Sequence, residues 1–83
     1  MTEVNEKNER RRALAAKRLT SAIKHIDKAI ATLNSTRERF VYGSPDFVLA
    51  TNVLGSLNEA RADAVTAARR NGVVFGFNNE IIE

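Results

Sequence analysis

Lys and Arg side chains recur at seven-residue intervals in the first half of the chain. One row holds Arg10, Lys17 and Lys24, a second holds Arg11, Arg18 and His25, and Lys28 extends the pattern. Seven residues are close to two turns of an α-helix, so each row runs along one side of a helix, and the whole pattern from Arg10 to Lys28 covers about 27 Å at ~1.5 Å per residue. The six Lys and Arg residues of this pattern, here called the basic stripe, favour binding to an anionic surface.

An acidic protein surface and a phosphate backbone are both suitable partners for the basic stripe. None of the five aromatic residues lies in the stripe, where it could stack on bases, and no helix-turn-helix, RRM, KH or zinc-finger pattern occurs. We therefore expect a small regulator or inhibitor that binds a protein, or a nucleic-acid-handling complex, through the stripe and exposed apolar surface. A nucleic-acid-binding helical dimer with little sequence preference is the alternative, and a structural assembly subunit is the second alternative.

Side chains suited to catalysis or metal binding are scarce. The chain has no cysteine, and His25 is its only histidine, which excludes thiolate sites, nucleophilic cysteines and histidine-rich metal sites. The central carboxylates, Asp27, Asp46, Glu59 and Asp63, form no evident acid–base pair with a His or Lys. Neither a phosphate-binding glycine loop nor a nucleophile motif occurs. The sequence predicts a protein that is not an enzyme and has no catalytic residue, cofactor or metal site.

Two long helices must position these side chains. The first 42 residues contain no Gly or Pro, and from residue 8 good helix formers dominate. Gly43 suits the left-handed position after a helix, Ser44 is a favoured N-cap and Pro45 a favoured first helical residue. Gly72 gives a second C-terminal glycine signal. The predicted elements are a helix over about residues 8–42, a turn at 43–44 and a helix over about 45–71.

Apolar residues follow alternating four- and three-residue intervals in both predicted helices, the pattern of a narrow seam between two helices. The seam positions pair as Leu19/Ala68, Ile23/Ala64, Ile26/Arg61, Ile30/Leu57, Leu33/Leu54, Arg37/Ala50 and Phe40/Phe47. The residue numbers of every pair add up to 87, as two helices that run antiparallel from one short turn require. Arg37 and Arg61 interrupt the seam and need solvent or a carboxylate partner. The sequence predicts an all-α fold built as an antiparallel helical hairpin.

Small and apolar residues also lie beside the seam. They are Ala15, Ala22 and Ala29 on the first helix and Val53, Ala60, Val65 and Ala67 on the second. One partner helix cannot cover so wide an arc, so we expect two hairpins to dimerise into a four-helix bundle.

Residues 72–83 have a different composition, in which the β-forming residues Val, Phe and Ile dominate. Asn78 and Asn79 suit a tight turn between two short extended segments. An isolated pair of strands is only marginally stable. We therefore expect a β-like tail that folds over the open end of the hairpin, pairs across the dimer or contacts a partner. The residues available for such contacts are Phe75, Phe77, Ile81 and Ile82.

Length and charge set the broader limits. Eighty-three residues predict a single domain over residues 1–83. The net charge of +3 is uneven, because residues 10–39 hold nine Lys or Arg against two acids, while the segments on either side each carry −2. No apolar run approaches the ~20 residues of a membrane helix, and the N-terminus lacks the apolar core of a signal peptide. We expect a cytoplasmic protein that does not enter a membrane.

Overall fold

The fold is a hairpin of two helices, seen in a computed structural model that describes residues 3–82. Helix α1 spans Glu3–Arg37 and helix α2 spans Pro45–Arg70, and the two pack against each other. The predicted all-α hairpin is confirmed. The ends of the predicted domain, Met1, Thr2 and Glu83, lie outside the described residues.

Helix α1 begins and ends about five residues earlier than the sequence pattern predicted. Its early start reflects polar residues without Gly or Pro, among which Glu6 complements the positive end of the helix dipole. Its early end reflects Phe40, Val41 and Tyr42, because aromatic and β-branched side chains are weaker helix formers than the residues before them.

Residues 38–44 therefore form a longer connection than the predicted two-residue turn. The amide of Phe40 donates to the carbonyl of Arg37 at 3.1 Å, a three-residue spacing in place of the α-helical four. The amide of Ser44 then donates to the carbonyl of Val41 at 3.0 Å, and Gly43 lies in the left-handed region with φ of +78°. Gly43 thus occupies the one position in this connection whose backbone conformation other residues adopt only at a cost.

Helix α2 begins where the sequence predicts and ends one residue before the predicted end. The hydroxyl of Ser44 accepts a hydrogen bond from the amide of Phe47 at 3.2 Å, so Ser44 is the N-cap. At the other end Gly72 is left-handed, and the amide of Val73 donates to the carbonyl of Ala68 at 3.0 Å. This is the Schellman arrangement, which satisfies carbonyls that have no partner within the helix.

The interface between α1 and α2 is the predicted seam. Its buried members are Ile23, Ala50, Leu54 and Ala68, and every other seam residue except Phe40 is half-buried. The guanidinium of Arg37 lies 5.5 Å from the ring centroid of Phe47 and donates to the hydroxyl of Thr51 at 3.4 Å. Apart from Phe40, the residues that the sum of 87 pairs thus lie at the interface between the two helices.

The tail folds over the open end of its own hairpin, the first of the three expected arrangements. Its half-buried residues Val73, Phe75 and Ile81 pack on Ile23, Val65 and Ala68. An antiparallel bridge joins Phe75 to Ile81, and the chain reverses between them through Asn79, whose φ is +58°. Val65, which the pattern placed beside the seam, is buried because the tail covers that side of α2.

Candidate functional site

The basic stripe is exposed along α1. All six of its Lys and Arg side chains are exposed, as is His25 between them. Because seam residues occupy the opposite side of the helix, the stripe's charges project away from the apolar interface. The structure thus brings the predicted binding residues onto one continuous surface about 27 Å long.

Leu14 lies inside the stripe and is 51% exposed. Residues three and four positions away on a helix are its surface neighbours. For Leu14 these neighbours are Arg10, Arg11, Lys17 and Arg18, all of them exposed cations. We call these five residues the Leu14 patch, an apolar centre with a positively charged rim.

The patch lies where α1 extends beyond α2. Helix α2 ends at Arg70, whose carbonyl accepts a hydrogen bond from a guanidinium nitrogen of Arg12 at 2.7 Å. Arg12 therefore satisfies a carbonyl that has no partner within α2. Every described side chain over residues 5–14 is exposed, so a partner can approach this part of α1 from several sides.

A shallow, open depression of about 390 Å³ adjoins the patch. Its lining residues, all on α1, are Ala16, Lys17, Thr20, Ser21 and Lys24. Two of these belong to the basic stripe, so a carboxylate that entered the depression would meet positive charge and the hydroxyl of Ser21 together, since the hydroxyl of Thr20 already donates to the carbonyl of Ala16.

The predicted contact residues of the tail divide into two pairs. Phe75 and Ile81 are half-buried against the hairpin, and the guanidinium of Arg69 lies 5.5 Å from the ring centroid of Phe75. Phe77 is 97% exposed and Ile82 is also exposed. Only Phe77 and Ile82 of the four offer most of their side chains to another molecule.

Arg61 ties the seam to the tail. Its Nε donates to Asp27 Oδ1 at 2.5 Å, and one Nη donates both to Asp27 Oδ2 at 3.2 Å and to the carbonyl of Asn79 at 3.0 Å. Arg69 also donates to the side-chain oxygen of Asn79. The hydrogen bond with Asp27 raises the pKa of Arg61 above its usual value, against a smaller opposing effect of burial. Because the pKa of Arg61 is raised in the folded state, the stabilisation is fully present at every pH below the ordinary pKa of arginine. It is lost only in strong alkali, so this contact stabilises the fold at physiological pH.

A second exposed apolar group lies near the turn. It comprises Phe40, Val41, Tyr42, Val48, Leu49 and Val53, of which Leu49 is 61% exposed. The ring of Tyr42 lies 4.9 Å from that of Phe47, tilted by 49°, so the two aromatics contact each other while Tyr42 stays in solvent.

The sequence pattern did not identify Leu14 as a candidate, because the stripe was defined by charge alone. The signal was present in the spacing, since Leu14 stands three and four residues from four cations and off the seam. Asp27 was likewise missed as the partner of Arg61. It follows Ile26, the residue that the sum of 87 places opposite Arg61.

Two further properties concern the described residues 3–82. No three His, Asp or Glu side chains gather there in a way that could hold a metal ion. Neither helix within that range is long and apolar enough to span a membrane.

Comparisons with protein-family models, with curated proteins and with solved structures find no match to this chain.

Proposed function

We propose that this chain is a small non-enzymatic interaction protein, a regulator or inhibitor, that binds an acidic protein surface through the basic stripe. The observation that carries this proposal is the Leu14 patch. A half-exposed leucine within four cations resembles a protein interface, where an apolar centre excludes water and a polar rim surrounds it.

The two parts of the patch contribute differently. Burying the exposed part of Leu14 would contribute about 2 kcal/mol at ~25 cal/mol per Å². The surrounding cations add charge complementarity, which raises the association rate and discriminates against basic or neutral partners. An acidic surface with a small apolar recess is therefore the partner that fits.

We also propose that the protein acts as a homodimer. The hairpin exposes 6382 Å², whereas a compact monomer of 9.2 kDa would expose about 4,900 Å² from the scaling of surface with mass. The excess of roughly 1,500 Å² is more than the ~800 Å² that one partner buries in an interface of standard size. A second copy would remove much of it.

Nucleic acid is the second candidate partner, favoured by the regular spacing of the stripe's exposed cations over about 27 Å. Phosphate contacts need such charge and little else. A phosphate backbone offers no recess for Leu14, however, so the apolar centre of the patch would have no role. This difference makes Leu14 and its neighbours the residues that separate the two candidates.

Affinity capture from the source cells, with nuclease treatment, tests the protein-binding proposal. Arg18→Glu reverses one charge of the patch, and Arg39→Glu reverses one exposed charge outside it. We expect Arg18→Glu to weaken capture of the partner at least about tenfold, because an acidic surface then meets a like charge. Arg39→Glu should capture as the unchanged chain does. Equal capture by both variants would remove the patch as the binding site.

A salt titration with random-sequence duplex DNA tests the second candidate. If the stripe binds phosphates, the logarithm of the binding constant should fall with the logarithm of salt concentration, by about 0.9 for each phosphate neutralised. Leu14→Ser should not change that binding. Absence of binding at low salt would remove nucleic acid as a partner.

A further inference from the structure

The hairpin is a single layer of helices. It measures 61 × 22 × 14 Å, and its least dimension is close to the ~10–12 Å diameter of one helix. Domains normally bury their apolar residues between two packed layers. Both broad faces of this layer are consequently open to solvent unless something covers them.

The tail covers part of one face. Asp27 on α1 contacts Arg61, which also donates to the carbonyl of Asn79 in the tail. Val65 on α2 is buried beneath tail residues at 3% exposure. Asp27 and Val65 therefore mark the side of each helix that faces the tail.

The opposite face carries small and apolar side chains. Two side chains that are two residues apart on a helix point about 200° away from each other around its axis. Ala29 follows Asp27 by two residues, and Ala67 follows Val65 by two. Both alanines therefore lie on the face opposite the tail. The residues that share this side, here called the alanine face, are Ala15, Ala22, Ala29, Leu49, Val53, Ala60 and Ala67. None of them is charged, and Ala22, Leu49, Val53 and Ala60 are exposed in the hairpin. Arg11 and Arg18 border this face at the open end of the hairpin, beside Ala15 and Ala22.

We infer that the alanine face is the surface through which two copies of this chain pack into a four-helix bundle. This inference rests on the homodimer proposed above and assigns its interface. Small side chains on both helices let a second pair of helices approach to the ~8–10 Å of close helix packing. A second copy presents the same small, uncharged surface, and such a self-complementary face is what a twofold dimer requires.

Area supports a second copy as the occupant. The roughly 1,500 Å² by which the chain exceeds a compact monomer is more than the ~800 Å² that one partner buries in an interface of standard size. A second copy would also give the assembly the two layers that a single hairpin lacks.

Leu14, Arg10 and Lys17 of the Leu14 patch stay accessible in such a dimer, whereas Arg11 and Arg18 border the interface as helical neighbours of Ala15 and Ala22. Leu14 and Ala22 are eight residues apart. Leu14 is therefore about 80° away from Ala22 around the helix axis and about two turns nearer to the free end of α1. The dimer would therefore display two Leu14 patches. Two patches allow bivalent binding to a partner with repeated acidic sites, which raises avidity without any new contact.

Sedimentation equilibrium of the full chain and two variants tests the interface. Ala60→Glu places a charge on the alanine face, and Ala62→Glu makes the same change at an exposed position of α2 off that face. We expect the unchanged chain and Ala62→Glu to sediment at twice 9.2 kDa. Ala60→Glu should raise the dissociation constant on the order of 100-fold, because each interface would bury an unpaired charge. Circular dichroism should show equal helix content in all three proteins.

Other outcomes would overturn the inference. A dimeric Ala60→Glu would mean that the dimer forms through another surface, leaving the proposed homodimer in place. A monomeric unchanged chain would refute both the interface and the homodimer, and the alanine face would then belong to a different partner. Because Arg18 borders the alanine face through Ala15 and Ala22, the Arg18→Glu variant is sedimented as well, and loss of capture by a variant that still dimerises is then a failure of partner binding alone.

Discussion

Arg61 is a charged residue held inside an apolar seam. Its side chain is 20% exposed, and the carboxylate of Asp27 accepts two of its hydrogen bonds. A buried charge is tolerated only when it is paired, because an unpaired one loses its hydration without compensation. The sequence indicated that Arg61 needs solvent or a carboxylate. It could not indicate which acid, because that depends on the rotation of α1 about its own axis.

Replacing Asp27 should therefore destabilise the hairpin. We expect Asp27→Asn to lower the free energy of unfolding by about 1 kcal/mol, a value discounted because Asp27 is 44% exposed. Asp63→Asn, the same change at an exposed acid of α2, should alter it by less than about 0.5 kcal/mol. Urea denaturation at equal chain concentration measures both. Equal effects would mean that Asp27 contributes nothing specific to the seam.

The stripe and Leu14 show what residue types alone could and could not predict. The seven-residue spacing, together with its extension to Lys28, placed six cations on an exposed side of α1. Leu14 was overlooked because an isolated apolar residue outside the seam has no periodic pattern of its own. Its spacing from four cations can be read in the sequence, but its half-exposed position became apparent only from the structure.

At the scale of elements, the helices were the predictable part. The constant sum of 87 predicted the facing pairs, since a seam must match across a short turn. The end of α1 was less predictable, because no Gly or Pro marks it and weak propensities at residues 40–42 decide it. The sequence also did not predict which side of the hairpin the tail covers, because that depends on long-range contacts with Val65 and not on a local pattern.

The tail should stabilise the hairpin through one of its two phenylalanines. Phe75→Ala removes a half-buried ring from the cluster around Ile23 and Ala68 and should lower the free energy of unfolding by about 1–2 kcal/mol. Phe77→Ala removes a ring that is almost wholly in solvent and should leave stability within about 0.5 kcal/mol. Thermal or urea denaturation compares the two. Equal losses would contradict the packing of the tail on its own hairpin.

At the scale of the whole molecule, charge and apolar surface are segregated. One edge of the layer carries the basic stripe, one face is partly covered by the tail, and the other carries the alanine face. The net charge of +7 over residues 10–39 could be counted from the sequence. The homodimer remains a prediction, because a hairpin's own contacts do not reveal what covers its open face.

The most direct test of function compares the binding of three chains to the partner captured after nuclease treatment. Leu14→Ser removes the apolar centre of the patch, and Val48→Ser makes a similar change at an exposed apolar position on α2. Isothermal titration should show the dissociation constant rising about 30-fold for Leu14→Ser, the ~2 kcal/mol of an interface hot spot, and staying unchanged for Val48→Ser. Equal affinities for Leu14→Ser and the unchanged chain would contradict the claim that the Leu14 patch is the binding site.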